Sequence, residues 1–99
     1  MNNFENIYAP QLNPNEDDVK IVEWKVENLS LVQSDTHIVS VESSKVVEEI
    51  FNKKIGYIKI LKNIDDYLKS GEIIAILSND KKQLINFKLA SNNKENIKN

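Results

Sequence analysis

The sequence contains no cysteine, which excludes disulfides, thiolate zinc sites, iron–sulfur clusters and cysteine nucleophiles. It contains no arginine either: all 13 basic residues are lysine. Bidentate recognition of phosphate or guanine is therefore missing. With 15 acidic residues and a net charge of −2, the chain does not read as a nucleic-acid binder. The single histidine, His37, rules out a multi-histidine metal site and is the only residue a serine triad has to use. The longest unbroken apolar run, Ile73 to Leu77, is too short to cross a bilayer. Met1 to Asn6 lacks the basic start and apolar stretch of a signal peptide. These absences lead to the expectation of a cytoplasmic protein with no membrane and no nucleic-acid partner.

What is present is enough for one domain. Ninety-nine residues at 40% hydrophobic and 28% charged favour a single folded unit over disorder. The expected boundaries are a loose N-terminus over 1–6 and a folded domain over 7–79. Over 80–99, an edge strand through Ile85, Phe87 and Leu89 is expected to lead into a loose polar tail. The middle reads as short strands rich in β-branched residues: 19–26, 37–42, 46–51, 57–61 and 72–77. In the first of these, alternation places Val22, Trp24 and Val26 on one inward face. Turn residues separate the runs at Asn13-Pro14-Asn15, Ser34-Asp35, Ser43-Ser44, Gly56, Asp65-Asp66 and Ser70-Gly71. Many short strands at close spacing predict an all-β sandwich or barrel. A faint repeat supports closure by two similar halves: Val32 and Leu68 are 36 apart, as are Ile38 and Ile74, Val39 and Ala75, and Val41 and Leu77.

One lysine stands out by position. Strands on either side of Ser43-Ser44-Lys45 predict a tight hairpin with Lys45 at or beside its tip. Such a post would hold an accessible amine, although a turn lysine by itself serves solubility equally well. Glu48 and Glu49 are neighbours on one strand, so they point to opposite faces and do not form an acid–base pair. His37 begins a strand and reads as a surface residue.

The residues around Lys45 carry more. Val41-Glu42-Ser43-Ser44-Lys45 resembles the Val-Glu-Thr-Asp-Lys hairpin of lipoyl domains. Ala9-Pro10-Gln11-Leu12, an acidic loop and Ile21-Val22-Glu23-Trp24-Lys25-Val26-Glu27 resemble that family's opening strands. From Trp24 to Lys45 the pattern fits without a gap, with Val32, Ile38 and Val41 at its apolar positions. Ile55-Gly56-Tyr57-Ile58 resembles the return strand, and Ser70 to Leu77 resembles the closing one. The resemblance implies a flattened barrel of two four-stranded antiparallel sheets with approximate two-fold symmetry. It implies that Lys45 carries lipoate through an amide, as a swinging arm in a 2-oxo acid dehydrogenase-type system. It further implies a carrier, not an enzyme, which depends on a lipoate ligase or lipoyl transferase. A thiamin-dependent dehydrogenase and an acyltransferase-type protein would be its other partners. The modifying enzyme would read Glu42, Ser43, Ser44 and Val46, and the domain would work as a monomer.

The departures from the pattern are local. Ser44 replaces the usual aspartate before the lysine, and Val46 the usual alanine after it. Biotinyl domains, which share the fold, place methionine on both sides of the lysine; the only methionine here is Met1, so biotin is the alternative cofactor. Two Gly-Asp turns are replaced by Leu29-Ser30 and Asp35-Thr36, with Asn28 and Asp35 expected to take positive φ. The loop carrying Asn13, Asn15, Glu16, Asp17 and Asp18 is the expected partner-recognition element, its acids suited to a basic funnel; no metal site is expected. The rival readings are a biotin carboxyl carrier, a glycine-cleavage carrier, and an unmodified barrel that serves as an interaction module.

Overall fold

The structure is a computed structural model that describes residues 4–10, 19–43 and 46–87. Eight strands fill it: β1 (Phe4–Tyr8), β2 (Val19–Trp24), β3 (Leu31–Val32), β4 (His37–Glu42), β5 (Val47–Phe51), β6 (Gly56–Ile60), β7 (Tyr67–Leu68) and β8 (Ile73–Ser78). They form two four-stranded antiparallel sheets, β1-β8-β6-β3 and β5-β4-β2-β7. The core lies between them. Ile38, Val39 and Val41 of β4 and Ile74, Ala75 and Leu77 of β8 are buried there, with Val19, Ile21, Val32, Ile58 and Leu68.

The repeat at 36 residues is structural. All four apolar pairs noted in the sequence are buried. The turn backbones repeat as well: Leu29 and Asp65 have φ 65° and 75°, and Asp35 and Gly71 have φ 62° and 82°. These left-handed positions are unfavourable for a residue with a Cβ. At each of the first pair, backbone hydrogen bonds hold the conformation. Leu29 N–H donates to Ile58 C=O at 2.6 Å, and Asp65 N–H donates to Ile21 C=O at 2.8 Å. Both central strands also carry a register shift that skips the same repeat position, Ile38 in β4 and Ile74 in β8. The shift lets consecutive residues of one strand enter the core.

Four expectations change. Positive φ falls on Leu29, not on Asn28; the Asn28 carboxamide instead accepts the Ile60 N–H at 2.7 Å. In β2 the register shifts between Ile21 and Glu23, so one extra residue reverses the alternation. Val19 and Ile21 therefore enter the core, Val22 is half-buried, and only Trp24 and Val26 keep a partly inward position. The first residues are not all loose: Phe4, Glu5 and Asn6 pair with Ser78, Leu77 and Ile76. Finally, the expected late edge strand is replaced by a short helix, α1 (Lys81–Ile85). Asp80 caps it by accepting the Lys82 N–H at 2.9 Å, and Leu84 is fully buried. Lys59 Nζ donates to the Leu84 and Phe87 carbonyls, and Phe87 packs edge-on against Phe4 at 5.2 Å. Leu89 lies outside the described residues.

The connection before β8 is held by charge. Glu72 forms an ion pair with Lys62 at 2.6 Å and accepts the Lys69 N–H at 3.0 Å. The Lys62 carbonyl accepts the Trp24 indole N–H at 2.9 Å. Lys62 first, and then the Lys69 amide, hold the Glu72 carboxyl below its usual 4.5. The folded-state value is the lower one. The stabilisation is therefore present above the unfolded carboxylate range and is lost as pH falls through the folded value. About a third of each side chain remains in water, so the contribution is small. Glu72→Gln is expected to flatten the acid side of a stability-versus-pH curve, with variant and wild type converging at low pH. An unchanged acid limb counts against the clasp. Leu84→Ala is expected to lower the unfolding free energy by about 2–4 kcal/mol. A urea melt of the full chain measures it, and an unchanged midpoint contradicts burial of Leu84.

Candidate functional site

The hairpin of β4 and β5 is in register up to its end. Ser40 pairs with Glu49, Val41 with Glu48 and Glu42 with Val47. One step further, the Ser43 N–H donates to the Val46 carbonyl at 2.9 Å, and the Val46 N–H donates to Ser43 Oγ at 3.3 Å. Two positions lie between these anchors, Ser44 and Lys45, and both lie outside the described residues. Of the four expected recognition residues, the structure brings Glu42, Ser43 and Val46 to one end of the hairpin. Glu42 and Val46 are exposed, while Ser43 is buried and spends its hydroxyl on the turn.

Asn13, Asn15, Glu16, Asp17 and Asp18 also lie outside the described residues, but the anchors of their loop do not. Ala9 N–H donates to Glu72 C=O at 2.7 Å, and Gly71 N–H to Ala9 C=O at 3.2 Å. On the other side Val19 pairs with Leu68, and Lys20 pairs with both Tyr67 and Glu42. Lys20, Glu42 and Val47 therefore share one cross-strand row, the last before the hairpin turn. The chain from the acidic loop rejoins the barrel beside that turn. Strand bounds show what the loop adds: the β1–β2 connection spans residues 9–18, ten in all, against four, 52–55, between β5 and β6, so the first connection is six residues longer than its counterpart.

Two residues of that last row escaped the sequence reading. Val47 and Tyr67 are 61% and 66% exposed, so large apolar side chains stand in water on either side of Lys20 and Glu42. Phase gives a signal only at Tyr67, which alternates with buried Leu68; Val47 stands between exposed Val46 and Glu48. Elsewhere the barrel offers a surface groove of about 370 Å³ between β1 and β5, walled in part by Ile7, Tyr8, Ile50 and Phe51. Among the described residues no group of three His, Cys, Asp or Glu side chains is placed to hold a metal, and no helix is long and apolar enough to cross a membrane.

The comparison with known families identifies the domain. The model of the biotin/lipoyl family, described as "Biotin-requiring enzyme", matches residues 5–77. The chain belongs to the biotin/lipoyl domain family. Such domains are carriers rather than catalysts. A similar solved structure is the lipoyl domain of the 2-oxoglutarate dehydrogenase complex from Azotobacter vinelandii. It is 33% identical, with a TM-score of 0.64, over 73% of this chain and 92% of that one. No curated protein matches the chain. The family match ends at Leu77, so α1 is an addition beyond the matched barrel.

Ser43 provides a local test of the turn. Ser43→Ala removes the hydroxyl that accepts the Val46 N–H and is expected to cost about 1 kcal/mol. Amide exchange should quicken at Val46 while Val41 and Glu48 keep their protection. Unchanged exchange at Val46 contradicts the assigned hydrogen bond.

Proposed function

We propose that this domain carries lipoate on Lys45. The observation that supports the reading most is the register of the hairpin. Cross-strand pairing runs to Glu42 and Val47, the Ser43–Val46 hydrogen bond closes it, and Lys45 falls by sequence in the two-residue link. A fixed base with a short link suits an amine that a modifying enzyme must reach. In attachment, Lys45 Nζ attacks an activated lipoyl carboxyl; the amide forms, the activating group leaves, and the amine gives up a proton. Once bound, lipoate supplies a dithiolane that accepts and releases acyl groups. The protein contributes the tether, which raises the local concentration of the intermediate at successive active sites.

The partners follow from the same reading. A lipoate ligase or lipoyl transferase recognises Glu42, Ser43, Ser44 and Val46. A thiamin-dependent dehydrogenase and an acyltransferase-type protein then share the arm, as in 2-oxo acid dehydrogenase systems. The solved relative named for such a complex supports this assignment, as does the lack of methionine beside Lys45. The acidic loop of residues 13–18 rejoins the barrel next to the hairpin and would steer a basic active-site entrance toward it. The domain acts as a monomer in the cytoplasm.

Co-expression with a lipoate ligase and free lipoate, followed by intact mass and peptide mapping, tests the assignment. The expected result is a lipoyl adduct on Lys45 that disappears in Lys45→Arg while the variant's melting curve stays unchanged. A biotin adduct under biotin ligase, with none from lipoate, would assign the alternative cofactor. An adduct that survives Lys45→Arg moves the site elsewhere.

A further inference from the structure

The internal two-fold relates two outer sheet faces that the chain treats differently. Register defines both. On the first sheet, Phe4 pairs with Ser78, Ser78 with Tyr57, Asn6 with Ile76, and Ile76 with Lys59, so these side chains share the outer face. Ile76 and Ser78 are nonetheless buried, because α1 and Phe87 lie over this face. The equivalent positions on the second sheet are Val47, Glu42, Glu49, Ser40 and Glu23, which pair in the corresponding way. No described helix or further strand lies over them, although Ser40 is buried, with His37 Nε2 3.0 Å from its hydroxyl and the His37 ring beside Phe51. Glu23, Glu42 and Glu49 are exposed, and so are the apolar side chains Val47, Phe51 and Tyr67 at 61%, 50% and 66%.

The covered face shows what this surface geometry accepts. Its occupant is a short helix that presents one buried leucine, Leu84, and carries Lys81 and Lys82. The uncovered face has Glu23, ion-paired with Lys25 at 3.0 Å, in place of Lys59 and Glu42 in place of Ser78; with Glu49 this leaves acidic groups suited to a lysine-bearing segment. Val47 and Tyr67 offer the apolar anchors that a dry contact needs. The face runs without a break to the row of Lys20, Glu42 and Val47 at the hairpin turn.

We infer that the outer face of the β5-β4-β2-β7 sheet docks a basic, helical segment of the enzyme that modifies Lys45. The inference rests on the proposed attachment at Lys45 and extends it from the hairpin to a second contact surface. Docking there would hold the ligase beside the hairpin, so Glu49 acts through positioning and not through contact with lipoate.

The test uses the full chain and a purified lipoate ligase. Glu49→Lys is compared with Glu27→Lys, which makes the same change in net charge at an exposed turn beyond the end of β2. Glu49→Lys is expected to lower kcat/KM for adduct formation about tenfold, mainly through KM, with the loss shrinking at high salt. Glu27→Lys should stay within about twofold. Val47→Ser should weaken KM without salt dependence. Amide shifts on adding ligase without lipoate should include Glu23, Ser40 and Glu49. Shifts confined to the hairpin, or equal losses in both charge variants, overturn the inference. So does sedimentation showing that the face is filled by a second copy of this chain. If the wild type is modified and Glu49→Lys keeps pace, only the docking inference fails. If the wild type takes no lipoate, the attachment reading fails and docking falls with it.

Discussion

Burial of two short runs, 38–41 in β4 and 74–77 in β8, is the constraint on which the rest of the structure depends. Each is the second strand of its sheet, and each takes an edge strand on one side and an inner strand on the other. A strand whose backbone is shut off from water must satisfy every amide through its neighbours. That requirement recruits β1, whose own side chains are mostly exposed, to the open side of β8. It recruits β5 in the same way to β4. β5 is therefore held by its pairing with the core strand beside it and contributes little to the core beyond Ile50.

Symmetry explains much of the scaffold, and its breaks coincide with the proposed function. Paired left-handed turns and matched register shifts in the central strands make the halves alike. Three features set them apart. The β1–β2 connection is longer, the bulge in β2 has no counterpart in β6, and α1 covers one outer face only. The longer connection and the bulged strand lie on the hairpin's side of the molecule, and the helix closes the face of the opposite sheet.

The sequence revealed the strands that bury alternating or continuous apolar residues, β2, β4, β6 and β8, with small errors at their ends, and β5 through its β-branched and aromatic residues. β1 was not legible, because Glu5 and Asn6 face water and its pairing is made by backbone alone. β3 and β7 are two residues long, too short for any periodicity. The extra residue at Val22 leaves no local mark, so alternation put the wrong residues inside. Replacement of turn glycines was visible, but the tertiary hydrogen bond from Ile60 to Asn28 decided which residue went left-handed. Lys45 was located by resemblance to a family and not by its chemistry. The described hairpin is in register up to the anchors on either side, and Lys45 itself lies outside the described residues.

The central claim is that Lys45 bears lipoate in the cell. Intact mass and peptide mapping of the protein isolated from its native host test it most directly. The account predicts a lipoyl amide on the peptide containing Lys45. A bare Lys45, in cells whose other lipoyl proteins are fully modified, would contradict it and leave the barrel as an interaction module.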